Sequence, residues 1–180
     1  MSGHARARGA LVVRRERPSD VAEVESVVSA AFAREPGVRP AEAALVAGLR
    51  TDPGALPRLT LLAEAGGRVV GHVVCSRGWV GEAPVLGLGP LAVAPERQGE
   101  GVGSALMHAV LAAAEALDEP LVALLGAPGY YGRFGFVPAA GEGIAAPDPR
   151  WGDHFQVRWL AAARGSLAGA FRYAAPFDEL

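Results

Sequence analysis

The sequence predicts one mixed α/β domain, with an antiparallel front half joined to a parallel centre. Three observations predict it. Apolar runs of strand length alternate with amphipathic stretches of helical period along the whole chain. The clearest hairpin signal, "AGGR" at 65–68, joins two apolar runs. Finally, a strand, a glycine turn, an alanine-rich helix and a second apolar run follow one another between residues 86 and 126. Parallel strands need such a crossover, and it is right-handed. With 180 residues and no linker-like stretch, the chain has room for one core.

The elements follow in order. Residues 1–10 read as a flexible leader and 11–180 as the domain. "ALVVRRE" is a first strand, stopped at Pro18. Ser19 is placed to cap a helix whose first turn holds Asp20 and Glu23, where carboxylates meet unpaired N–H groups. Val21, Val24, Val28 and Phe32 form its buried stripe. "AEAALVAGLR" is a second helix between proline- and glycine-bearing turns, and residues 58–80 make the hairpin. "PVLGLGPLAVA" is the fourth strand, the helix after the glycine turn runs from Ser104 to Asp118, and "EPLVALLGA" is a buried strand. "PGYYGRFGFVPA" is a short helix running into a strand, and "AAGEGIAAPDPRWGD" is a loop. "FQVRWLAA" and "SLAGAFRYAAPF", within 155–180, read as an antiparallel pair turning at Arg164 and Gly165.

Composition narrows the function. The chain is 51% hydrophobic and 20% charged with a net charge of -2, a globular balance without the basic excess that nucleic acid selects. The arginines near the N-terminus precede no long apolar segment, so neither a secretory signal nor a membrane span is expected. Cys75 alone forms neither an intrachain disulfide nor a cysteine metal site, and the cytoplasm is the expected compartment. On a strand between Val74 and Ser76 it reads as a small buried hydrophobe.

The glycine turn carries the chemistry. Gly99, Gly101 and Gly103 strip side chains from the approach to a helix, whose first N–H groups are unpaired and partially positive. Phosphate suits such a place. A Walker loop is excluded, because no lysine precedes Ser104. A dinucleotide fingerprint is out of register, because Ser104 stands where its last glycine belongs.

"QGEGVG" at 98–103, after a strand ending "LAVAP", resembles the Q/R-x-x-G-x-G/A loop of the GNAT superfamily of acetyl-CoA-dependent N-acetyltransferases. "YYGRFGF" at 130–136 resembles the family's tyrosine segment, and one helix and one strand separate the two motifs as they do in the family. The resemblance covers about residues 11–160, with its specific motifs in 88–136. It implies a mixed central sheet with splayed parallel strands at its centre, 86–94 and 121–126, and acetyl-CoA as co-substrate in the opening. It further implies that the backbone of Leu91, Ala92 and Val93 binds the pantetheine arm. The pyrophosphate would rest on Gln98, Gly99, Glu100, Gly101, Val102 and Gly103, with Ser104 capping or touching it. Tyr131 would protonate the departing thiolate, whereas Tyr130, Phe134, Gly135 and Phe136 pack. Arg133 supports the tyrosine or the cofactor, or is a solvated helix residue. The acceptor would be a primary amine, on a small molecule or a protein, and the enzyme a monomer or homodimer. The alternative is a non-catalytic acetyl-CoA-sensing domain of the same fold.

The base that deprotonates the amine is not marked. Glu64, His72, Glu82, Asp153 and His154 are the candidates, each through water. Phe32, Trp79 and Trp151 can wall an acceptor pocket, and Trp159 belongs with the core. Glu100 departs from the basic residue common in related loops, which leaves open whether it faces the cofactor.

Overall fold

A computed structural model describes residues 9–163 and 167–180. Among the described residues, nine strands are interspersed with four α-helices: β1 Leu11–Arg15, α1 Val21–Phe32, α2 Ala41–Thr51, β2 Ala55–Ala65, β3 Arg68–Val80, β4 Ala83–Val93, α3 Val102–Ala116, β5 Leu121–Leu125, α4 Pro128–Tyr131, β6 Val137–Pro138, β7 Ile144–Ala145, β8 Phe155–Trp159 and β9 Gly169–Arg172. The main sheet runs β1-β2-β3-β4-β5-β8-β6, and β4–β5 is its parallel pair. This is the mixed sheet expected. β3 and β4 outrun β2, and β9 takes the free edge of β3 at Trp79 and Val80.

Both faces of the sheet are covered, which explains why β2 and β3 read as almost continuous apolar runs rather than alternating ones. Leu59, Leu61, Val73 and Cys75 turn to α3, whose stripe of Leu106, Met107, Val110 and Ala114 has no more than trace exposure. Leu62, Val69 and Val74 turn to α1 and α2, against Val24, Val28, Val46 and Leu49. A third cluster gathers Phe155, Phe171 and Tyr173 at the far end of the sheet, with ring centroids 4.6–6.4 Å apart. The β2–β3 turn uses Gly66 and Gly67 at φ +59° and +74°, the left-handed pair that a two-residue hairpin requires.

Three expectations are corrected. Ser19 does not cap α1, because Pro18–Asp20 forms a 3-10 turn and the Asp20 carboxylate instead accepts from the Arg17 N–H at 2.7 Å. Asp20 is further held by Arg14, at 2.7 and 3.0 Å. The glycine-turn helix begins at Val102 rather than Ser104, because Gly101 at φ +85° turns the chain into it two residues earlier. Its end is a left-handed Asp118, with Glu119 N–H reaching back to the Ala114 carbonyl at 3.1 Å. The late strands do not pair with each other: β8 lies between β5 and β6, and β9 joins β3 and β7. The expected turn at Arg164 and Gly165 lies outside the described residues. Among the described residues no helix is long and apolar enough to cross a membrane.

Candidate active site

The site starts from one irregular strand. β4 is laddered to β3 from Val80↔Ala83 to Gly71↔Val93, with one break: Val74 stands opposite both Gly89 and Pro90. Such a bulge bends and twists its strand, and Pro90 has no N–H to offer a neighbour. β5 accordingly pairs with β4 at Leu86 and Gly87, after which the two part. Leu91, Ala92 and Val93 keep β3 on one edge and face the opening with the other. The Gly89–Pro90 peptide is cis.

Where β4 ends, Pro95–Arg97 makes a 3-10 turn and leads into the glycine loop. Gln98 donates its side-chain amide to the Val93 carbonyl at 3.2 Å, so it ties the loop to the strand. The N–H groups of Gln98 and Glu100 turn back to the Pro95 and Arg97 carbonyls at 3.4 Å. The donors left for a ligand are the Gly99 N–H and those at the start of α3, on Gly101, Val102, Gly103 and Ser104, where no preceding turn supplies carbonyls. No acidic side chain lies in that first turn to cancel the helix dipole. Gly99 and Gly101 have positive φ, and the space a Cβ would fill is open at both. This bare concavity fits a diphosphate. Val102 points its side chain into the core, and Glu100 is engaged by Arg97 at 2.6 Å.

Gly103 has a different reason. A Cβ there would stand 2.5 Å from the Tyr130 hydroxyl, so the third glycine makes room for a ring. Tyr130 packs edge-on to Tyr131 and carries the Arg133 guanidinium 4.1 Å above its face. Tyr131 lies over Gly126, where a Cβ would run into its ring, and against Phe136. Burial, with a smaller contribution from Tyr130, pushes the Tyr131 phenol up to about 12. It therefore holds its proton at neutral pH.

Two β8 side chains that sequence reasoning missed hold this segment. Gln156, buried, donates to the Gly126 carbonyl at 3.0 Å, and Arg158 donates to the Phe134 carbonyl at 2.8 Å. The one signal for them is a polar residue at alternate positions of the apolar strand "FQVRW".

Tyr131 faces a cleft of about 920 Å³, bordered by Leu88–Leu91 of β4 and Leu125 at the end of β5. Phe32 and Trp151 wall it as expected. Trp79 does not, and instead sits under the Arg172 guanidinium at 4.5 Å. Of the candidate bases, Glu82 borders the cleft, along with Glu42 and Asp178, which sequence reasoning did not single out. Glu64 is paired with Arg14, and His72 is buried against Glu16. Asp153 and His154 are not among the cleft's walls. Cys75 is buried, and burial raises its thiol far above the ordinary range, in keeping with a packing role. Trp159 is half-buried beside the third cluster, its indole N–H donating to Glu142 at 2.7 Å.

A parallel pair opened at a bulge, a helix start bared by glycines and a protonated tyrosine beside the gap make up the candidate site. The chain belongs to the GNAT acetyltransferase family, whose model matches residues 17–136. It is 38% identical over 169 residues to the uncharacterized N-acetyltransferase YjhQ of Escherichia coli, covering 89% of this chain and 90% of that one. Among solved structures it is similar to YhbS from Escherichia coli in complex with CoA, at TM-score 0.85 and 29% identity over 98% of this chain and 96% of that one. It is also similar to a GNAT family acetyltransferase from Brucella melitensis in complex with acetyl-CoA, at TM-score 0.76 and 33% identity over 94% and 99% of the two chains.

Proposed function

We propose that this single domain transfers the acetyl group of acetyl-CoA to a primary amine. The observation that carries the reading is convergence: the parted end of β4 and Tyr131 border one opening, and the start of α3 meets the same tyrosine pair where Gly103 lies under the Tyr130 hydroxyl. Acetyl-CoA supplies an acyl group already activated as a thioester. The free edge of Leu91–Val93 would align its pantetheine arm in strand fashion, and a backbone N–H there would polarise the thioester carbonyl. The N–H groups of Gly101–Ser104 would take the diphosphate.

The neutral amine nitrogen attacks the thioester carbon, forming the N–C bond as the C–S bond breaks. Tyr131 gives its phenolic proton to the departing sulfur. The proton the amine loses leaves by water toward Glu82, the candidate base that borders the cleft. Phe32, Trp151 and Tyr173 would seat the apolar part of the acceptor.

The test is calorimetric titration with acetyl-CoA, CoA and ATP, followed by a panel of primary amines with free thiol as the readout. Saturable binding of acetyl-CoA and CoA without ATP, and thiol release dependent on an amine, is the expected result. A folded protein that binds neither thioester nor CoA ends the enzyme reading. Binding without turnover on any amine favours the sensing domain.

A further inference from the structure

A second cavity, of about 270 Å³, shares no wall with the acetyl-transfer cleft. It owes its existence to β2. Ala55 pairs with Ser76 and Thr60 with Val74, so the intervening β2 residues bow out from β3, and Pro57 among them has no N–H to hold them in. The hollow is roofed by α2 and the start of α1. Its walls are largely apolar, with Val21, Val46, Leu49, Leu56 and Val74 among them.

Among the described residues, three buried side-chain polar atoms lack a hydrogen-bond partner: Arg50 Nη2, His72 Nδ1 and Ser76 Oγ. All three residues line this cavity, and His72 and Ser76 are almost wholly buried. Unpaired buried polar atoms are rare and costly, so three on one small surface point to a ligand. The neighbouring charges define it. Glu16 accepts from Arg50 Nε at 2.7 Å and meets His72 Nε2 at 2.7 Å, so its negative charge is matched by Arg50. Arg17 adds a positive charge at the exposed rim. What is lacking is one anionic group with acceptor oxygens, joined to an apolar body.

We propose that this cavity binds a small monocarboxylate with an apolar body. Its oxygens accept from Arg50 Nη2 and Ser76 Oγ, beside the His72 ring. The site is independent of the acyl-transfer reading and needs no acetyl-CoA.

The experiment titrates the whole protein with isobutyrate and benzoate, and with isobutyramide and inorganic sulfate as controls for charge and for the apolar body. Saturable binding of at least one carboxylate, at least tenfold tighter than both controls and unchanged when CoA is present, is expected. Ser76→Ala and Arg50→Gln should each weaken it about tenfold, the effect of losing one hydrogen bond to a charged group. Arg50→Gln also strips Glu16 of its partner and risks misfolding. Ser76→Ala, which removes a lone hydroxyl, then carries the test. The proposal is overturned if neither carboxylate saturates, which assigns the cavity to water alone. It is equally overturned if isobutyramide or sulfate binds as well, if CoA displaces the carboxylate, or if Ser76→Ala binds it undiminished.

Discussion

The two edges of β4 are made of the same residues and do opposite things. Toward β3 the strand is laddered over its whole length, with one bulge. Toward β5 the pairing stops after Gly87. The closed edge sits between helices that bury it on both faces, and it holds the molecule together. The open edge leaves backbone groups unpaired, which is what a ligand can use. The cause of the difference is local: Gly89 and Pro90 bend the strand away from its parallel partner without breaking its antiparallel one. Stability and recognition are thus separable here, and substitutions on the two sides should fall into different classes.

Tyr131→Phe is the strongest test of the open side. It should lower kcat about 10²- to 10⁴-fold, the usual worth of a general acid, with acetyl-CoA affinity unchanged in calorimetry. Because the phenol is pushed up to about 12, wild-type kcat should show no falling limb from this group below about pH 10. A kcat within threefold of wild type would move the proton donor elsewhere. On the closed side, Leu106→Ala hollows the fully buried interface between α3 and the sheet. It should cost about 3 kcal/mol in urea unfolding while kcat per folded molecule holds. Loss of kcat in step with stability would mean that the two edges are not separable.

Smaller effects sharpen the same division. Gly101→Val puts a β-branched residue at φ +85°, costing about 1–3 kcal/mol of strain. We expect acetyl-CoA affinity to fall about tenfold with Tyr131 chemistry intact; unchanged affinity would take the diphosphate off this turn. Asp20, far from the opening, is held down to about 2, first by its hydrogen bond to Arg14. A carboxyl depressed in the folded state stabilises above the unfolded pKa of about 4 and stops doing so as pH falls toward 2. Asp20→Asn should therefore lower Tm at pH 7 by the equivalent of about 1 kcal/mol, and by nothing near pH 2. An equal deficit at both pH values would mean that its effect does not come from the carboxylate charge.

Most of the fold was legible because local signals agreed with the tertiary answer: "AGGR" forces a tight turn, and α3 carries its own apolar stripe. The late strands were misread because proximity in sequence favours a hairpin, whereas the choice was made elsewhere. β8 is inserted beside β5 with Phe155 and Val157 buried, and β9 completes the edge that β2 leaves on β3. Of the candidate site, the backbone features were legible and the side-chain neighbours were not. A glycine turn before a helix announces itself, but sequence does not tell that Gly103 yields to a tyrosine, or that Gln98 ties the loop to its strand. Nor does it give direction: Glu64 and Glu82 look alike as residues, yet one meets Arg14 and the other borders the cleft.

Each ring of the tandem tyrosines has a glycine for its floor, Gly103 beneath Tyr130 and Gly126 beneath Tyr131. A side chain at position 103 would meet the hydroxyl at 130, and phenylalanine there would clear the new methyl group. No such exchange is open at 126, where the obstacle is the Tyr131 ring itself, so the glycine at that position and the tyrosine above it can only be changed together.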